Sequence, residues 1–551
     1  MDSGGRRLAV IGGALALCAL AGGILGVGID RLSGPSSSGP PPTLIAESPP
    51  PLPVAGTASE ARPVPAPLPL SVLVDTPCPD GTPPAGPAPR CHSLRVPSDW
   101  QRPDSPPLDL FVMVLPALSG APAADPVVVL AGGPGQGGSD DPRGTAAMLE
   151  PMRATRDIIL ADQRGTGRSA PSLRCPALDP LRTWFGGVTA EDAVACLDPL
   201  RRAGYRLEDF DSGRSAADLR ALRGALGVER WNIVATSYGG VLAQALLRAD
   251  GGAVRSLVLN SPAAVDATWL DLDRLTAIRQ AHRRMVEDCA AQPDCARAFP
   301  QLGQAVERLS AALERRPLEL RLRHPGTGRE SVLQLSWPVL ATVLALRLGG
   351  ADGMVVMPAL LDRLDRAVAQ GGGTGTGGAL RLEDSAVLSL LVPPAIWGVL
   401  GSLAYGLNLT VGCRENRPRI DAAAARRAAA DLRPYVVAEA VETDYDAACP
   451  VLNLPPVDAS FYRPVESEVP ALILTGVYDT FTAPARAGEM GRSLRRATLM
   501  SFRGIGHDVL GVSPCGRSAA ARFVETLSTG DAGACVERLL PPTFATRLPA
   551  P

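Results

Sequence analysis

RWNIVATSYGGVLAQALLRAD, residues 230–250, changes its periodicity halfway along. WNIVATS (231–237) is short, apolar and rich in β-branched residues, the pattern of a buried strand. YGGVLAQALLRAD (238–250) then carries its apolar residues at helical spacing. Ser237 stands at the junction, with Ala235 two residues before it and Gly239 two after. A serine on a tight strand-to-helix turn is pushed out at the carboxyl edge of a sheet. Small neighbours are needed because strand and helix approach closely there. The spacing is that of a nucleophile elbow, with Ala235 where the first glycine usually stands.

The alternation continues on both sides. LDLFVMVLP (108–116), PVVVLAG (126–132) and RDIILADQRG (156–165) predict strands, and GRSAADLRALRGALGV (213–228) predicts a helix. VRSLVLNSP (254–262) and PALILTGVYD (470–479) predict two further buried strands. Strands alternating with helices indicate a mostly parallel α/β sheet. Between residues 261 and 470 the rhythm changes to Arg/Ala/Leu-rich helical segments, which predict a large, mainly helical cap inserted between two core strands. The octet GGGTGTGG (371–378) lacks the Lys-Ser/Thr of a phosphate loop and reads as a surface loop.

An elbow serine needs a base, and the chain holds four histidines. His92 lies in the N-terminal extension, His282 in a helical cap segment, and His324 before a proline in a polar loop. His507, in GIGHD after the apolar run TLMSF, falls beyond the last strands, where such a base belongs. The acid that orients it should lie between serine and histidine in chain order. Asp479 does so, at the end of ALILTGVY. Asp508 competes, but a residue adjacent to a histidine can seldom set its carboxylate against that ring's Nδ1.

Acyl transfer builds negative charge on a carbonyl oxygen, which two backbone N–H groups can stabilise. Tyr238 would give one and the loop LAGGPGQGG the other. Pro134 has no N–H, so the donor there is Gly133, with Gly132 second. The same loop satisfies G-x-G-x-x-G, and Asp162 ends the next strand as in a dinucleotide site. Pro134 inside the turn, and the continuation SDDPRG, which is not an apolar helix, weigh against that reading. Asp162 and Arg164 read as a structural polar turn.

Arg6 and Arg7 precede 22 uncharged residues, Leu8–Ile29, so residues 1–29 are expected to be a signal peptide or a membrane anchor. Residues 30–70 follow as a linker; Pro35 to Leu70 contains twelve prolines and no aromatic residue, which cannot build a core. Ten cysteines remain beyond Cys18, and an even number in an exported chain indicates disulfides. Neighbour pairing is one hypothesis: Cys78–Cys91, Cys175–Cys196, Cys289–Cys295, Cys413–Cys449 and Cys515–Cys535. With no paired C-x-x-C and few histidines, no metal site and no cofactor are expected. All 54 basic residues are arginine and the net charge is −2, which offers no reason to expect nucleic acid as partner.

Together, LAGGPGQGG, RDIILADQRGTGRS, RWNIVATSYGG, TGVYDTFTAP and GIGHDVL resemble the exported tripeptidyl-aminopeptidase-like branch of the prolyl-aminopeptidase serine peptidases, with an α/β-hydrolase fold. The resemblance runs from about residue 73 to the C-terminus. It departs at Ala131, where simpler members have histidine, at Ala235, and at Phe210-Asp211-Ser212, where relatives tend to carry Tyr-Thr-Thr. It implies core segments 71–263 and 470–551 around a cap at 264–469. It further implies Ser237 as nucleophile, His507 as general base and Asp479 as its orienting acid. VGCRENRP (411–418) resembles the family's Cys-x-Glu segment, making Glu415 a candidate for the substrate ammonium or, equally, a carboxylate salt-bridged to Arg414 or Arg417. The expected substrate is a small peptide or an ester, and the expected form a monomer that meets membrane only through its N-terminal segment. A silent hydrolase fold kept for surface binding is a further alternative.

Overall fold

The computed structural model describes residues 71–549 except 80–84, 179–187, 269–271, 324–329, 371–379, 383–384, 392–401 and most of 422–443. The expected leader and linker, His324 and the Gly-rich octet lie outside the described residues.

Twelve strands are described: β1 (Leu73–Asp75), β2 (Arg90–Asp99), β3 (Arg102–Leu115), β4 (Val127–Leu130), β5 (Ile158–Ala161), β6 (Trp231–Thr236), β7 (Val254–Asn260), β8 (Leu318–Arg323), β9 (Glu330–Leu335), β10 (Leu380–Leu382), β11 (Ala471–Gly476) and β12 (Ala497–Phe502). Nine of them form one sheet in the order β1-β2-β3-β5-β4-β6-β7-β11-β12. The pairs β1–β2, β2–β3 and β3–β5 are antiparallel, and every later pair is parallel. β4 and β11 are buried along their whole length, as expected of strands covered on both faces.

Alternate residues of these strands feed two different cores. Val128, Ile233 and Ile473 face the helices Ser212–Ala225 and Gly239–Asp250. Val127, Val234 and Leu472 face the helix Pro514–Thr526. The period of two therefore builds three layers, helix–sheet–helix, from one set of short strands. This is the α/β-hydrolase architecture expected from the sequence.

β7 and β11 are neighbours in the sheet although the whole cap sequence separates them. That insertion packs a third core around Trp337, Leu340 and Leu364. Its helices include Leu272–Ala290, Trp337–Gly349 and Ala351–Ala369. It also holds a small sheet, β10-β8-β9, absent from the sequence expectation. β8 reads LELRLR, a two-residue alternation easily passed over among helical segments.

All five expected disulfides are present, Cys78–Cys91, Cys175–Cys196, Cys289–Cys295, Cys413–Cys449 and Cys515–Cys535. Because β5, β4, β6, β7, β11 and β12 of the large sheet run in one direction, their carboxyl ends share one edge. The glycine loop follows β4, Ser237 follows β6, Asp479 lies three residues beyond β11, and His507 follows β12. Residues far apart in sequence are thus delivered to one place.

Candidate active site

Ser237 has a left-handed backbone, with φ +57°. A non-glycine residue in that region is strained, and the surrounding structure must hold it there. Ser237 N–H donates to the Asn260 carbonyl (3.1 Å), and its own carbonyl accepts from Gly240 (2.8 Å) and Ala263 (2.9 Å). The helix after the turn crosses β4 closely: a Cβ on Gly239 would stand 2.3 Å from the Leu130 carbonyl oxygen. Glycine is required there. Ala235, by contrast, is a fully buried β6 residue without a left-handed backbone, so the fold holds alanine where glycine is usual.

His507 and Asp479 form the buried pair expected from the sequence. Nδ1 of His507 lies 2.9 Å from Asp479 Oδ2. The other carboxylate oxygen accepts from the Phe481 (2.8 Å) and Thr482 (2.9 Å) N–H groups. The Thr482 hydroxyl lies 2.8 Å from Oδ2, and the Phe481 ring stacks on the imidazole at 4.8 Å between centroids. Burial pushes Asp479 up, but the charge and hydrogen bond of His507 and the two N–H donors outweigh it, and the carboxyl is held below its ordinary pKa. Burial pushes His507 down, and Asp479, with help from Asp508, overcomes this and raises it. The pairing thus fixes the imidazole with Nδ1 as donor and Nε2 as acceptor.

His507 Nε2 is buried and makes no hydrogen bond among the described residues. The His–Asp link is made and the Ser–His link is not; catalytic hydrogen bonds of this kind can tighten only when substrate binds. Ser237 lines a cleft of about 520 Å³, counted with the solvent at its mouth, together with Gly133, Tyr238 and Phe481. Neither the Gly133 nor the Tyr238 backbone N–H donates to any described residue. Gly132 is not among the described residues of that wall, so Gly133 is the better placed of the two glycines.

Asp508 points elsewhere, as its position beside His507 requires. Its carboxylate accepts from Asn260 Nδ2 (2.6 Å) and caps the short helix Val509–Val512. Asp162 and Arg164 are structural. Asp162 accepts from the Ser139 N–H (2.7 Å) and the Arg168 N–H (2.7 Å), which ties the glycine loop to the next turn. Arg164 is buried against Asp218 at 2.7 Å.

Glu415 is buried, but it is not on the described wall of the Ser237 cleft. It accepts from the Ser212 N–H (2.7 Å) and the Ser212 hydroxyl (2.8 Å). Ser212 Oγ in turn lies 2.6 Å from the Tyr238 hydroxyl, so the carboxyl reaches the elbow through two side chains. Burial and the nearby Asp211 raise its pKa to about 8, against the Ser212 bonds and Arg414. The expected salt bridge to Arg414 or Arg417 is not made: Arg414 pairs with Asp211, and Arg417 with Asp446 at 2.7 Å.

Three contributors escaped the sequence reading. Thr482 and Phe481 lie in the quoted TFTAP turn, whose only signal was proximity to Asp479. The third is the cap helix Trp337–Gly349, whose end grips both loops. The Gly349 carbonyl accepts from His507 N–H (2.8 Å), and the Ala345 carbonyl from the Thr480 hydroxyl (2.8 Å). A Cβ on Gly349 would stand 2.2 Å from Thr480 Oγ1 and 2.7 Å from the Phe481 ring.

Two family models match the chain: alpha/beta hydrolase fold over residues 125–298, and TAP-like protein over residues 434–535. Among curated proteins, serine protease Hip1 of Mycobacterium tuberculosis is 25% identical over 223 residues, 37% of this chain and 42% of that one. The probable proline iminopeptidase of Streptomyces coelicolor is 32% identical over 144 residues, 26% of this chain and 35% of that one. The matches therefore span well under half the length of either relative. Among solved structures, the proline iminopeptidase of Mycobacterium smegmatis aligns over 79% of this chain and 97% of that one, at 15% identity and TM-score 0.35. The strand order and the two matching models agree: the chain has the α/β-hydrolase fold, and residues 434–535 match the TAP-like model.

Proposed function

We propose that the chain is an exported serine hydrolase, an aminopeptidase that releases short N-terminal peptide units. The observation that carries the reading is one strained serine and one carboxylate-held imidazole on the same sheet edge. Ser237 Oγ attacks the scissile carbonyl carbon while His507 Nε2 takes its proton. The Gly133 and Tyr238 N–H groups receive the oxyanion. His507 then protonates the leaving amine, and the acyl-enzyme forms. Water, deprotonated by the same nitrogen, clears it. Asp479 keeps the imidazole in the required tautomer throughout.

The peptidase names of the relatives support the choice of substrate class. Glu415 supports it physically. A buried carboxyl with a raised pKa gains from a cation, because an ammonium offsets the cost of its ionisation. Export is supported by five disulfides, which persist in oxidising compartments. No helix among the described residues is long and apolar enough to cross a membrane.

Ester hydrolysis is the second reading, favoured by the absence of any carboxylate on the described wall of the cleft. Peptide amides with free and blocked N-termini, compared with simple esters, separate the two. Glu415→Gln should lower kcat/KM on free-amine substrates at least about tenfold more than on esters, the worth of one charge-assisted hydrogen bond. Equal losses on both would remove Glu415 as the ammonium site.

A further inference from the structure

The two backbone N–H groups assigned to the oxyanion, those of Gly133 and Tyr238, belong to separate loops at the sheet edge. One short stretch of the cap touches both loops. It runs from Ala404 through the helix Tyr405–Val411 to Glu415 in the helical turn Gly412–Asn416, and it is buried throughout.

Its first contact is with the glycine loop. The Ala404 N–H donates to the Gly135 carbonyl (2.9 Å), and Asn408 Nδ2 donates to the Pro134 carbonyl (3.3 Å). Pro134 and Gly135 follow Gly133 directly, so holding their carbonyls limits how the Gly133 peptide can turn. A carbonyl only accepts, so the Asn408 amide must face Pro134 with its nitrogen. Its oxygen accepts from the Tyr445 hydroxyl (2.8 Å), which locks the amide in that orientation. The approach is close: a Cβ on Gly135 would stand 2.7 Å from the Ala404 carbonyl oxygen.

The second contact is with the elbow. The Ser212 hydroxyl donates to Glu415 (2.8 Å), so it receives the 2.6 Å bond from the Tyr238 hydroxyl. Gln163 Nε2 donates to the same Tyr238 oxygen (3.2 Å). The buried Tyr238 ring is thus anchored at the end remote from the N–H it must aim. The stretch is itself fastened from behind. Cys413 is joined to Cys449 on the helix Asp444–Leu452, which also carries Tyr445.

We propose that the cap stretch from Ala404 to Glu415 positions both halves of the oxyanion hole, Asn408 acting on the Gly133 loop and Glu415, through Ser212, on Tyr238. The inference rests on the hydrolase reading above and adds the cap to its machinery. Oxyanion donors are effective because they are fixed before the charge develops. Fastened in this way, the hole is complete only while the cap is seated. Asn408 touches no reacting atom, and the oxyanion forms only after binding, so its effect belongs in kcat rather than in KM.

The test compares wild type, Asn408→Ala and Tyr238→Phe on an ester and on the matched thionoester, which carries sulfur where the oxyanion forms. Sulfur is larger and accepts hydrogen bonds more weakly. An aligned hole therefore prefers the ester, and the preference shrinks as alignment is lost. Active sites are counted by fluorophosphonate labelling carried to completion. Per site, Asn408→Ala should lower kcat on the ester roughly 10- to 100-fold with KM nearly unchanged, the cost of a donor displaced by about 1 Å. Tyr238→Phe keeps the ring and the N–H and removes only the hydroxyl, so it carries the test should Asn408→Ala not fold. Its kcat should fall about 2- to 10-fold, the worth of one neutral hydrogen bond. In both variants the ratio of kcat/KM for ester over thionoester should fall below that of wild type. A loss of folding alone lowers both substrates together and leaves the ratio in place. A wild-type ratio near one, an unchanged ratio or kcat in either folded variant, or a loss confined to KM would overturn the inference. Absence of labelling in wild type would instead remove the hydrolase reading, and this inference with it.

Discussion

The sheet edge and the cap both act on His507, but with different parts of the chain. The sheet edge supplies side chains: Ser237 on the turn after β6, Asp479 beyond β11, His507 itself after β12. The cap supplies the carbonyls of Ala345 and Gly349, and the guanidinium of Arg274. The difference teaches where positioning information resides. A side chain that reacts must be of one type at one place, so it leaves a motif. A carbonyl that holds a loop can belong to any residue, so it leaves none. The cap is accordingly part of the site's geometry as well as its cover.

The comparison breaks most sharply at Asp479. Asp479→Asn should lower kcat by about 10⁴-fold, because the amide cannot hold the imidazole with Nδ1 as donor. The pH profile adds a signed check. The base acts only when neutral, so kcat/KM falls as pH drops through the pKa of His507. That pKa is raised chiefly by Asp479, against burial, which places the acidic limb above the ordinary imidazole value of about 6.5. In Asp479→Asn burial and Arg274 remain while that carboxylate is gone, so the limb should move to lower pH. A limb that stays in place would mean another group titrates.

A smaller effect sharpens the cap's side of the comparison. Gly349→Ala inserts a methyl group against Thr480 and the Phe481 ring, which stacks on His507. The reactive side chains are unchanged, and only their alignment moves. A displacement near 1 Å is worth about 100-fold, so a fall of roughly 10- to 100-fold in kcat is expected with the disulfide-bonded fold intact by circular dichroism. An unchanged kcat would demote the cap to a cover alone.

The elbow, the parallel strands and the order Ser237, Asp479, His507 were legible because each rests on a local rule. Strands buried on both faces read as apolar runs, and the turn demands small residues at fixed offsets. β2 was less legible: RCHSLRVPSD mixes polar residues with Pro97, and its pairing with β3 is a long-range matter. β8 hid among helical neighbours for a similar reason. Glu415 could be singled out from VGCRENRP, but its bond to Ser212 could not, because Ser212 lies 203 residues earlier in the chain. Arg274 carried no signal. Among so many arginines, only the fold distinguishes the two that line the cleft, Arg274 and Arg486.

The central claim is that Ser237 is the nucleophile activated by His507. Fluorophosphonate labelling followed by peptide mapping tests it most directly. The account predicts one adduct, on the peptide containing Ser237, lost in Ser237→Ala and strongly slowed in a folded His507→Ala variant. An adduct on another residue, or undiminished labelling in Ser237→Ala, would contradict it.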